Sequence, residues 1–158
     1  MSPKFELTYK SPFGVIGVNT LDNKILELRF CRAQKIIQPK NKFLKEVERQ
    51  LSLYFKKKLN KFELPYLLLG TEYQKKILNE VSKIKYGNTK TYSDIALKFF
   101  SHPRPVGNAC RNNPIQLIIP CHRVVGKNNI GGYYGESANK GGKMIYVKKN
   151  LLEIEKKI

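Results

Sequence analysis

Residues that bind metals or form disulfides are scarce in this 158-residue chain, which holds three cysteines and two histidines and has no tryptophan. The cysteines, Cys31, Cys110 and Cys121, form no Cys-x-x-Cys pair, and their odd number argues against a disulfide framework. A single disulfide at Cys31 stays open. With His102 and His122 as the only imidazoles, the sequence predicts neither a zinc cluster nor any other structural metal.

Acidic residues are also few, since 12 Asp and Glu stand against 30 Lys and Arg, for a formal net charge of +18. A charge of this size says nothing about the fold, but it favours a polyanionic partner such as nucleic acid. Many of the lysines are spread along the chain, so a protein that is merely lysine-rich is the alternative.

Long hydrophobic runs are missing. No apolar stretch approaches the roughly 18 residues that a membrane span requires, and the first residues lack the apolar core of a signal peptide. We therefore expect no membrane partner and an intracellular location, cytoplasmic or, in a eukaryote, nuclear. The hydrophobic content of 41% is enough to bury the core of one domain or of two small ones.

The first third of the chain changes its hydrophobic period once. Residues 4–30 alternate as strands do and are interrupted by turn residues, which predicts a three-stranded antiparallel meander. Residues 41–59 then repeat apolar side chains at helical steps, which predicts a helix. That apolar face comprises Leu44, Val47, Leu51, Tyr54 or Phe55, and Leu59. Pro65 and Gly70 mark a connector, so we predict an N-terminal α/β domain at residues 1–69 and a second domain at 70–158.

The second domain carries two helix-capping patterns. Thr71 with Gln74 predicts a capping box and a helix that ends near Gly87, and Thr91 with Asp94 predicts a second, shorter helix. After a break at Ser101-His102-Pro103, residues 104–111 read as another short helix. Two short helices joined by a tight turn have the outline of a helix-turn-helix. A loop at 126–142 and a terminal helix bearing Lys148 and Glu155 complete this half.

The octet Ile118–Val125 contains the candidate reactive residues Cys121 and His122. A cysteine reacts as the thiolate, so Cys121 needs a base or a positive field to lower its pKa from about 8.5. His122 is a candidate base, which we expect to reach the sulfur through a bridging water rather than directly. Pro120 favours a sharp turn that presents Cys121 at the end of a buried strand. A buried cysteine with an incidental histidine is the alternative.

Together with this octet, three further motifs resemble the O6-alkylguanine-DNA alkyltransferases. They are Arg104-Pro105-Val106-Gly107-Asn108-Ala109, Asn112-Asn113-Pro114 and Gly131-Gly132-Tyr133, and the likeness runs in order from about Gly70 to Glu155. The resemblance implies an α/β (α+β) fold in which a small three-stranded antiparallel sheet and a helix precede a mostly helical domain. It also implies DNA repair by direct reversal. The alkyl group of O6-alkylguanine, or of O4-alkylthymine as a second candidate, passes to the protein's own cysteine in a single turnover, without a cofactor.

The resemblance assigns roles to particular residues. Cys121 is the acceptor and His122 the base, Glu155 orients His122, Asn113 pins the turn around the cysteine, and Tyr92 donates a proton to guanine N3. Contact with double-stranded DNA falls to the second helix of the helix-turn-helix, which lies in the minor groove. There Arg104 replaces the flipped nucleotide, Gly107 and Ala109 allow close approach, and Arg111 and Tyr92 contact the backbone. The base and alkyl pocket comprises Tyr133, Tyr134, Gly135, Lys148 and Val124.

The chain departs from the family pattern in two places. It reads Gly132-Tyr133-Tyr134-Gly135-Glu136 where a serine and a glycine are common, and several extra residues follow. Gln116 stands where some members line the pocket with proline. Some members also carry zinc in the N-terminal domain, and its ligands are not visible here.

Three hypotheses follow for a chain that we expect to be a monomer. A suicide alkyltransferase is the first. A non-catalytic binder of alkylated DNA, of the alkyltransferase-like type, is the second, and the presence of Cys121 disfavours it. A DNA-binding regulator that uses the helix-turn-helix without repair is the third.

Overall fold

The computed structural model describes residues 4–33, 35–134, 136 and 142–156. Contacts between Cα atoms divide the chain into two compact units. The first comprises the residues up to Leu68 together with Pro114–Ile118, and the second comprises Leu69–Asn113 and the residues from Ile119 onward. A three-stranded antiparallel sheet combined with helices confirms the predicted mixed α/β fold class.

The first unit is an antiparallel meander followed by one helix. Its elements are β1 (Leu7–Ser11), β2 (Gly14–Leu21), β3 (Lys24–Cys31) and α1 (Lys42–Phe55). The strands lie in the order β1-β2-β3, as the sequence predicted. Asp22 and Asn23 join β2 to β3 with φ values of 50° and 57°. Two consecutive residues with positive φ match the right-handed twist of a hairpin, and Asp and Asn tolerate this conformation.

Helix α1 covers the sheet with its predicted apolar face. Leu44, Val47, Leu51 and Tyr54 are buried, and Asn41 caps the helix by accepting a hydrogen bond from the Leu44 N–H at 2.8 Å. The helix ends at Phe55 rather than at the predicted Leu59. The reason is local, because Lys57 adopts a φ of 61°, which a right-handed helix cannot continue.

Two returning segments pair with β3 within the first unit. Ile25 donates to the Pro65 carbonyl at 2.8 Å, and the Gln116 N–H donates to the Leu28 carbonyl at 2.7 Å. The Gln116 side chain is buried and accepts a hydrogen bond from the Phe30 N–H at 2.9 Å. Gln116 therefore pairs with two backbone groups of β3.

The second unit is mostly helical. Its elements are α2 (Glu72–Val81), β4 (Lys90–Thr91), α3 (Tyr92–Lys98), α4 (Pro103–Arg111), a 3₁₀ turn (Cys121–Arg123), β5 (Val124–Val125) and α5 (Lys143–Ile154). Strands β4 and β5 form a short parallel pair in which Lys90 lies opposite Val124.

Helix α2 differs from its prediction at both ends. Thr71 accepts the Gln74 N–H at 3.1 Å, but the Gln74 side chain does not reach back to complete a capping box. It donates to the Asn112 carbonyl at 3.0 Å instead, a tertiary contact that sequence spacing cannot reveal. The helix ends at Val81, well before Gly87, because single turns at Lys83 and Ile84 replace the helical hydrogen bonds.

The helix-turn-helix outline is confirmed. Thr91 accepts the Asp94 N–H at 3.0 Å, and the Asp94 carboxylate accepts the Thr91 N–H at 3.0 Å, so the predicted capping box starts α3. Phe100 turns the chain with a φ of 52°, and its side chain is fully exposed. Helix α4 then packs against α3.

The buried strand predicted before Cys121 is absent from residues 114–120, all of which the structure describes. Ile115 forms only an isolated bridge, and Leu117 reverses the chain with a φ of 68°. The predicted sharp turn at Pro120 is present, but it leads into the 3₁₀ turn that starts at Cys121. An apolar run between two prolines therefore gives a compact turn rather than a strand.

The described residues show the state of the cysteines, the potential metal ligands and the length of the helices. All three cysteines are free thiols, including Cys31. No group of three or more His, Cys, Asp or Glu side chains could hold a metal ion within this part of the chain. Over the same residues, each helix is too short or too polar to cross a lipid bilayer.

Thr91→Ala tests the capping box of α3. Removing the hydroxyl leaves the Asp94 N–H without its partner, so we expect the free energy of unfolding to fall by about 0.5–2 kcal/mol. Urea denaturation followed by circular dichroism measures the change. Ser93→Ala, an exposed residue of the same helix, is the control and should change stability by less than about 0.5 kcal/mol. Equal effects of the two substitutions would show that the box does not stabilise the helix.

Candidate active site

Asn113 holds Cys121 in place through hydrogen bonds. The asparagine side chain is buried, and its Nδ2 donates to the Ile119 carbonyl at 2.9 Å and to the Cys121 sulfur at 3.2 Å. One amide group thus fixes both the turn and the atom that the turn presents. The Asn113 carbonyl in turn accepts a hydrogen bond from the Tyr134 hydroxyl at 2.8 Å.

His122 and Glu155 form a buried pair. The last turn of α5 packs on the 3₁₀ turn and brings the Glu155 carboxylate to 2.8 Å from His122 Nε2. The exposed fractions of the two residues are 0% and 1%. Because a carboxylate accepts, Nε2 carries the proton, which leaves Nδ1 as the basic nitrogen. Nδ1 is buried and has no hydrogen-bond partner among the described residues, so the ring does not contact the Cys121 sulfur through a direct hydrogen bond.

Arg123 completes this network, and sequence reasoning gave it no role. Its Nε donates to Glu155 Oε1 at 2.8 Å and its Nη2 to Glu155 Oε2 at 3.0 Å, while Nη1 donates to the Ile84 carbonyl at 2.7 Å. A planar guanidinium is suited to this bidentate geometry. The only signal in the sequence was the position of Arg123 inside the otherwise apolar octet, where a charge must find a partner.

The protonation states follow from this arrangement. Burial lowers the pKa of His122, although Glu155 acts against it, so the ring is neutral at rest. Burial acts to raise the pKa of Glu155, and the contacts with His122 and Arg123 outweigh it, so the pKa lies well below its usual range. Since a neutral imidazole offers only its N–H, the permanently charged Arg123 is what keeps the carboxylate ionised.

Cys121 is a thiol at rest. Burial raises its pKa well above the usual value, and the neighbouring Cys110 side chain raises it further. The Asn113 N–H and the Lys148 ammonium act in the opposite direction without overcoming burial. Formation of a thiolate therefore requires a base in the course of the reaction.

Cys121 lines a cavity of about 400 Å³. Cys121 and Cys110 contribute the thiols of its wall, and α4 contributes Gly107 and the exposed Arg104 and Arg111. The remaining wall comprises Tyr92, Pro103, Gly132, Tyr133, Tyr134 and Glu136. The volume lies at the lower end of the range of about 300–1,000 Å³ that is usual for small-molecule sites.

Lys148 lies behind the cavity rather than on its wall. Its side chain is fully buried, and its ammonium donates to the Val124 carbonyl at 2.7 Å, the Gly132 carbonyl at 2.9 Å and the Tyr92 hydroxyl at 3.5 Å. Burial lowers its pKa to about 8, and Cys110 and Cys121 act against that shift. The lysine thereby ties the loop before Tyr133 to β5 and places a positive charge near both thiols.

Four further residues were predicted at the site, namely Ala109, Val124, Tyr133 and Gly135. Ala109 is only 6% exposed and does not line the cavity, so its side chain faces protein. Val124 is fully buried and contributes its carbonyl rather than its side chain. The Tyr133 hydroxyl is buried without a hydrogen-bond partner among the described residues. Gly135 lies outside the described residues.

Glu136 is a second residue that sequence reasoning left without a role. Its carboxylate accepts the N–H groups of Met144 and Ile145 at 2.7 and 3.0 Å, at the start of α5. A carboxylate at a helix N-terminus satisfies free backbone donors and interacts favourably with the helix dipole. Since Glu136 also lines the cavity, it links the cavity wall to the helix that carries Lys148.

Two family models cover most of the chain. The model described as "6-O-methylguanine DNA methyltransferase, DNA binding domain" matches residues 72–157, and "6-O-methylguanine DNA methyltransferase, ribonuclease-like domain" matches residues 5–68.

Curated relatives and solved structures agree with these models. The methylated-DNA--protein-cysteine methyltransferase of Metallosphaera sedula is 39% identical over 150 residues, covering 94% of this chain and 90% of the relative. That of Methanocaldococcus jannaschii is 44% identical over 116 residues, covering 70% and 69%. The crystal structure of Mycobacterium tuberculosis O6-methylguanine methyltransferase matches with a TM-score of 0.81 at 30% identity, covering 94% and 90%. A structure of the M. tuberculosis protein OGT in complex with DNA matches with a TM-score of 0.80 at 31% identity, covering 94% and 91%.

The neutral state of buried His122 predicts a pH dependence of stability. The unfolded chain binds a proton on this imidazole near pH 6.5, whereas the folded chain resists it because its pKa is lowered. The unfolded state therefore binds more protons, and the free energy of unfolding should fall as the pH falls from about 7.5 to about 5.5, by at most about 1.4 kcal/mol per pH unit from this group.

Urea denaturation at several pH values measures this dependence. We expect His122→Gln to have a shallower slope than the natural chain, whatever its absolute stability. His102→Gln removes an exposed imidazole and is the matched control. Identical slopes for His122→Gln and the natural chain would mean that folding does not shift the pKa of His122.

Proposed function

The chain belongs to the 6-O-methylguanine DNA methyltransferase family, and on this premise we propose that it repairs DNA by moving an alkyl group from guanine O6 to Cys121. The observation that carries the proposal is the setting of the sulfur. Cys121 faces a cavity of about 400 Å³, and the next residue, His122, is held by a buried ionised carboxylate. A catalytic nucleophile needs this combination of an open approach and an oriented base.

The reaction is an in-line displacement at carbon. The Cys121 sulfur forms a bond to the alkyl carbon, and the bond from that carbon to guanine O6 breaks. The thiol proton leaves the sulfur, and one proton returns to the purine, so the products are a thioether and an ordinary guanine. A thioether is not hydrolysed, so each molecule acts once and needs no cofactor.

The proton leaves Cys121 toward His122. Nδ1 is the free basic nitrogen, and it lacks a direct hydrogen bond to the sulfur, so we infer that one water carries the proton between them. The imidazolium that forms is stabilised by Glu155 at 2.8 Å. Arg123 holds that carboxylate by two hydrogen bonds, which keeps it ionised and in place throughout the transfer.

The leaving purine is met at the cavity wall. We infer that the Tyr92 hydroxyl donates to guanine N3, since Tyr92 lines the cavity and its hydroxyl lies 3.5 Å from the Lys148 ammonium. Burial raises the pKa of Tyr92, so the hydroxyl keeps its proton as a donor. The adjacent positive charge favours electron density that moves onto the base as the bond to carbon breaks.

The target base must leave the duplex, because the alkyl carbon is inaccessible inside the base stack. Arg104 and Arg111 lie exposed on α4, where this helix borders the cavity. We infer that Arg104 occupies the place of the extruded nucleotide and that Arg111 contacts phosphate, while Gly107 lets the backbone of α4 approach the groove. With a net charge of +18, the chain should bind DNA mainly through phosphate contacts and show little preference for base sequence.

Two finer expectations accompany the proposal. We infer that the chain acts as a monomer on double-stranded DNA that carries O6-alkylguanine. A cytoplasmic location, or a nuclear one in a eukaryote, is where such a substrate is found.

Incubation with a duplex containing O6-methylguanine, followed by tryptic mass spectrometry, tests the acceptor. The three cysteines fall on separate peptides, 30–32, 99–111 and 112–123, because trypsin does not cleave before Pro105. We expect one methyl group on peptide 112–123. Cys121→Ala should bind the damaged duplex and gain no methyl group, because the nucleophile is gone.

Cys31→Ala is the matched control, since Cys31 does not line the cavity, and it should transfer as fully as the natural chain. Methyl on peptide 99–111 would make Cys110 the acceptor. Tight binding without added mass on any peptide would favour the non-catalytic binder or the regulator.

Arg104→Ala tests base extrusion. We expect it to slow transfer from duplex DNA by at least about tenfold, because losing a group worth about 1.4 kcal/mol or more in the extruded state has that effect. Transfer from the free base O6-benzylguanine needs no extrusion and should change little. Arg104→Lys keeps the charge but not the planar stacking surface, so it should recover only part of the rate. An equal loss on both substrates would remove Arg104 from the extrusion step.

A further inference from the structure

The cavity contains a second thiol that the alkyl transfer does not use. Cys110 lies on α4 and Cys121 starts the 3₁₀ turn, and both line the cavity although they are only 6% and 3% exposed. Both are free thiols. A small molecule that enters the cavity therefore meets two sulfur atoms rather than one.

The two thiols share one wall and one charged neighbour. Cys110 and Cys121 line the same cavity, Cys110 raises the pKa of Cys121, and the Lys148 ammonium interacts with both cysteines. The third cysteine, Cys31, belongs to the other compact unit and does not line this cavity. Cys110 is therefore placed as a resolving cysteine would be, beside a sulfur that small molecules can reach through the cavity.

We propose that Cys110 and Cys121 form an intramolecular disulfide when a peroxide enters the cavity, and that this bond reversibly removes the acceptor sulfur from reaction. Both side chains already lie in the wall of one cavity, and the disulfide brings their sulfur atoms to about 2.05 Å. The cavity gives the oxidant its route, and the α4 thiol gives the oxidised sulfur a partner.

The chemistry balances with hydrogen peroxide as the oxidant. His122 takes the proton of the Cys121 thiol, and the thiolate attacks one peroxide oxygen and becomes a sulfenic acid. The hydroxide that leaves takes that proton back from His122 to form water. The Cys110 sulfur then displaces the hydroxyl group of the sulfenic acid, which leaves as a second water. Two thiols lose two electrons and two protons, and one peroxide becomes two waters. A dithiol reverses the step by exchange.

The disulfide has a chemical advantage over the lone sulfenic acid. Without a resolving thiol, continued oxidation leads to sulfinic and sulfonic acids, which simple thiols do not reduce. With Cys110 as the partner, oxidation stops at a reducible stage. Both sulfurs are then bonded, so neither can attack an alkyl carbon until the bond is reduced.

Peptide mass spectrometry tests the disulfide without reference to repair. The purified chain is treated with hydrogen peroxide, free thiols are blocked with N-ethylmaleimide, and the protein is digested with trypsin under non-reducing conditions. Cleavage after Arg111 separates the two cysteines, so the disulfide appears as peptide 99–111 linked to peptide 112–123. We expect this species to become the main form of both peptides and to disappear after dithiothreitol. Peptide 30–32 should stay blocked as a free thiol.

Two variants sharpen the result. Cys110→Ser should give no linked species and should instead carry sulfinic or sulfonic acid on peptide 112–123, whereas Cys31→Ser should give the linked species as the natural chain does. A natural chain in which Cys121 is over-oxidised while Cys110 stays free would overturn the proposal, and so would a link from Cys121 to Cys31 or to a second molecule.

A second experiment measures how the disulfide affects alkyl transfer, and it rests on the proposed function. Peroxide-treated natural chain should lose its alkyl transfer from a duplex containing O6-methylguanine in proportion to the linked fraction, and dithiothreitol should restore it. Chain already alkylated at Cys121 should form no linked species. If the linked species forms but untreated chain transfers no alkyl group, the function fails and the disulfide stands. If untreated chain transfers normally and no link forms, the disulfide fails alone.

Discussion

The site depends on one buried carboxylate. Glu155 is 1% exposed and ionised, a state that costs several kcal/mol of lost hydration unless its oxygens are paired. Arg123 and His122 together supply three hydrogen bonds to those two oxygens. The pairing draws the end of α5 onto the 3₁₀ turn that begins at Cys121. One electrostatic requirement therefore fixes the histidine tautomer, the position of the terminal helix and the place of the Cys121 sulfur.

Much of the architecture could be predicted from local patterns. The meander, helix α1 and the capping box at Thr91 follow from alternation, helical spacing and short-range hydrogen bonds, which sequence displays directly. Apart from the incomplete capping box at Thr71, the failures were of two kinds. Helix ends were placed too late, because a left-handed residue such as Lys57 stops a helix without changing its apolar pattern. The stretch before Cys121 was read as a strand, because a buried turn and a buried strand have the same apolar composition.

The site residues, too, could be predicted only in part from the sequence. The resemblance led to His122 and Glu155, whose contact joins residues far apart in the chain and which no spacing rule could pair. It did not lead to Arg123, because the family likeness had attached no chemistry to it and a lone charge in an apolar octet has many possible partners. Cys110 was counted only as a thiol. Its meaning depends on α4 facing the 3₁₀ turn, a tertiary relation that the sequence does not contain.

Burial gives the acceptor sulfur two properties that oppose each other. It raises the pKa of Cys121, which keeps the resting sulfur a weakly reactive thiol, and it excludes the bulk water that would screen the nearby charges. The sulfur then reacts only once His122 takes its proton. A protein that is consumed in one turnover gains from this arrangement, since a permanently ionised sulfur would be spent on any electrophile that reached it. Cys110 lines the same cavity as Cys121, so the enclosure that protects the sulfur from random alkylation also offers it a partner when the electrophile is an oxidant.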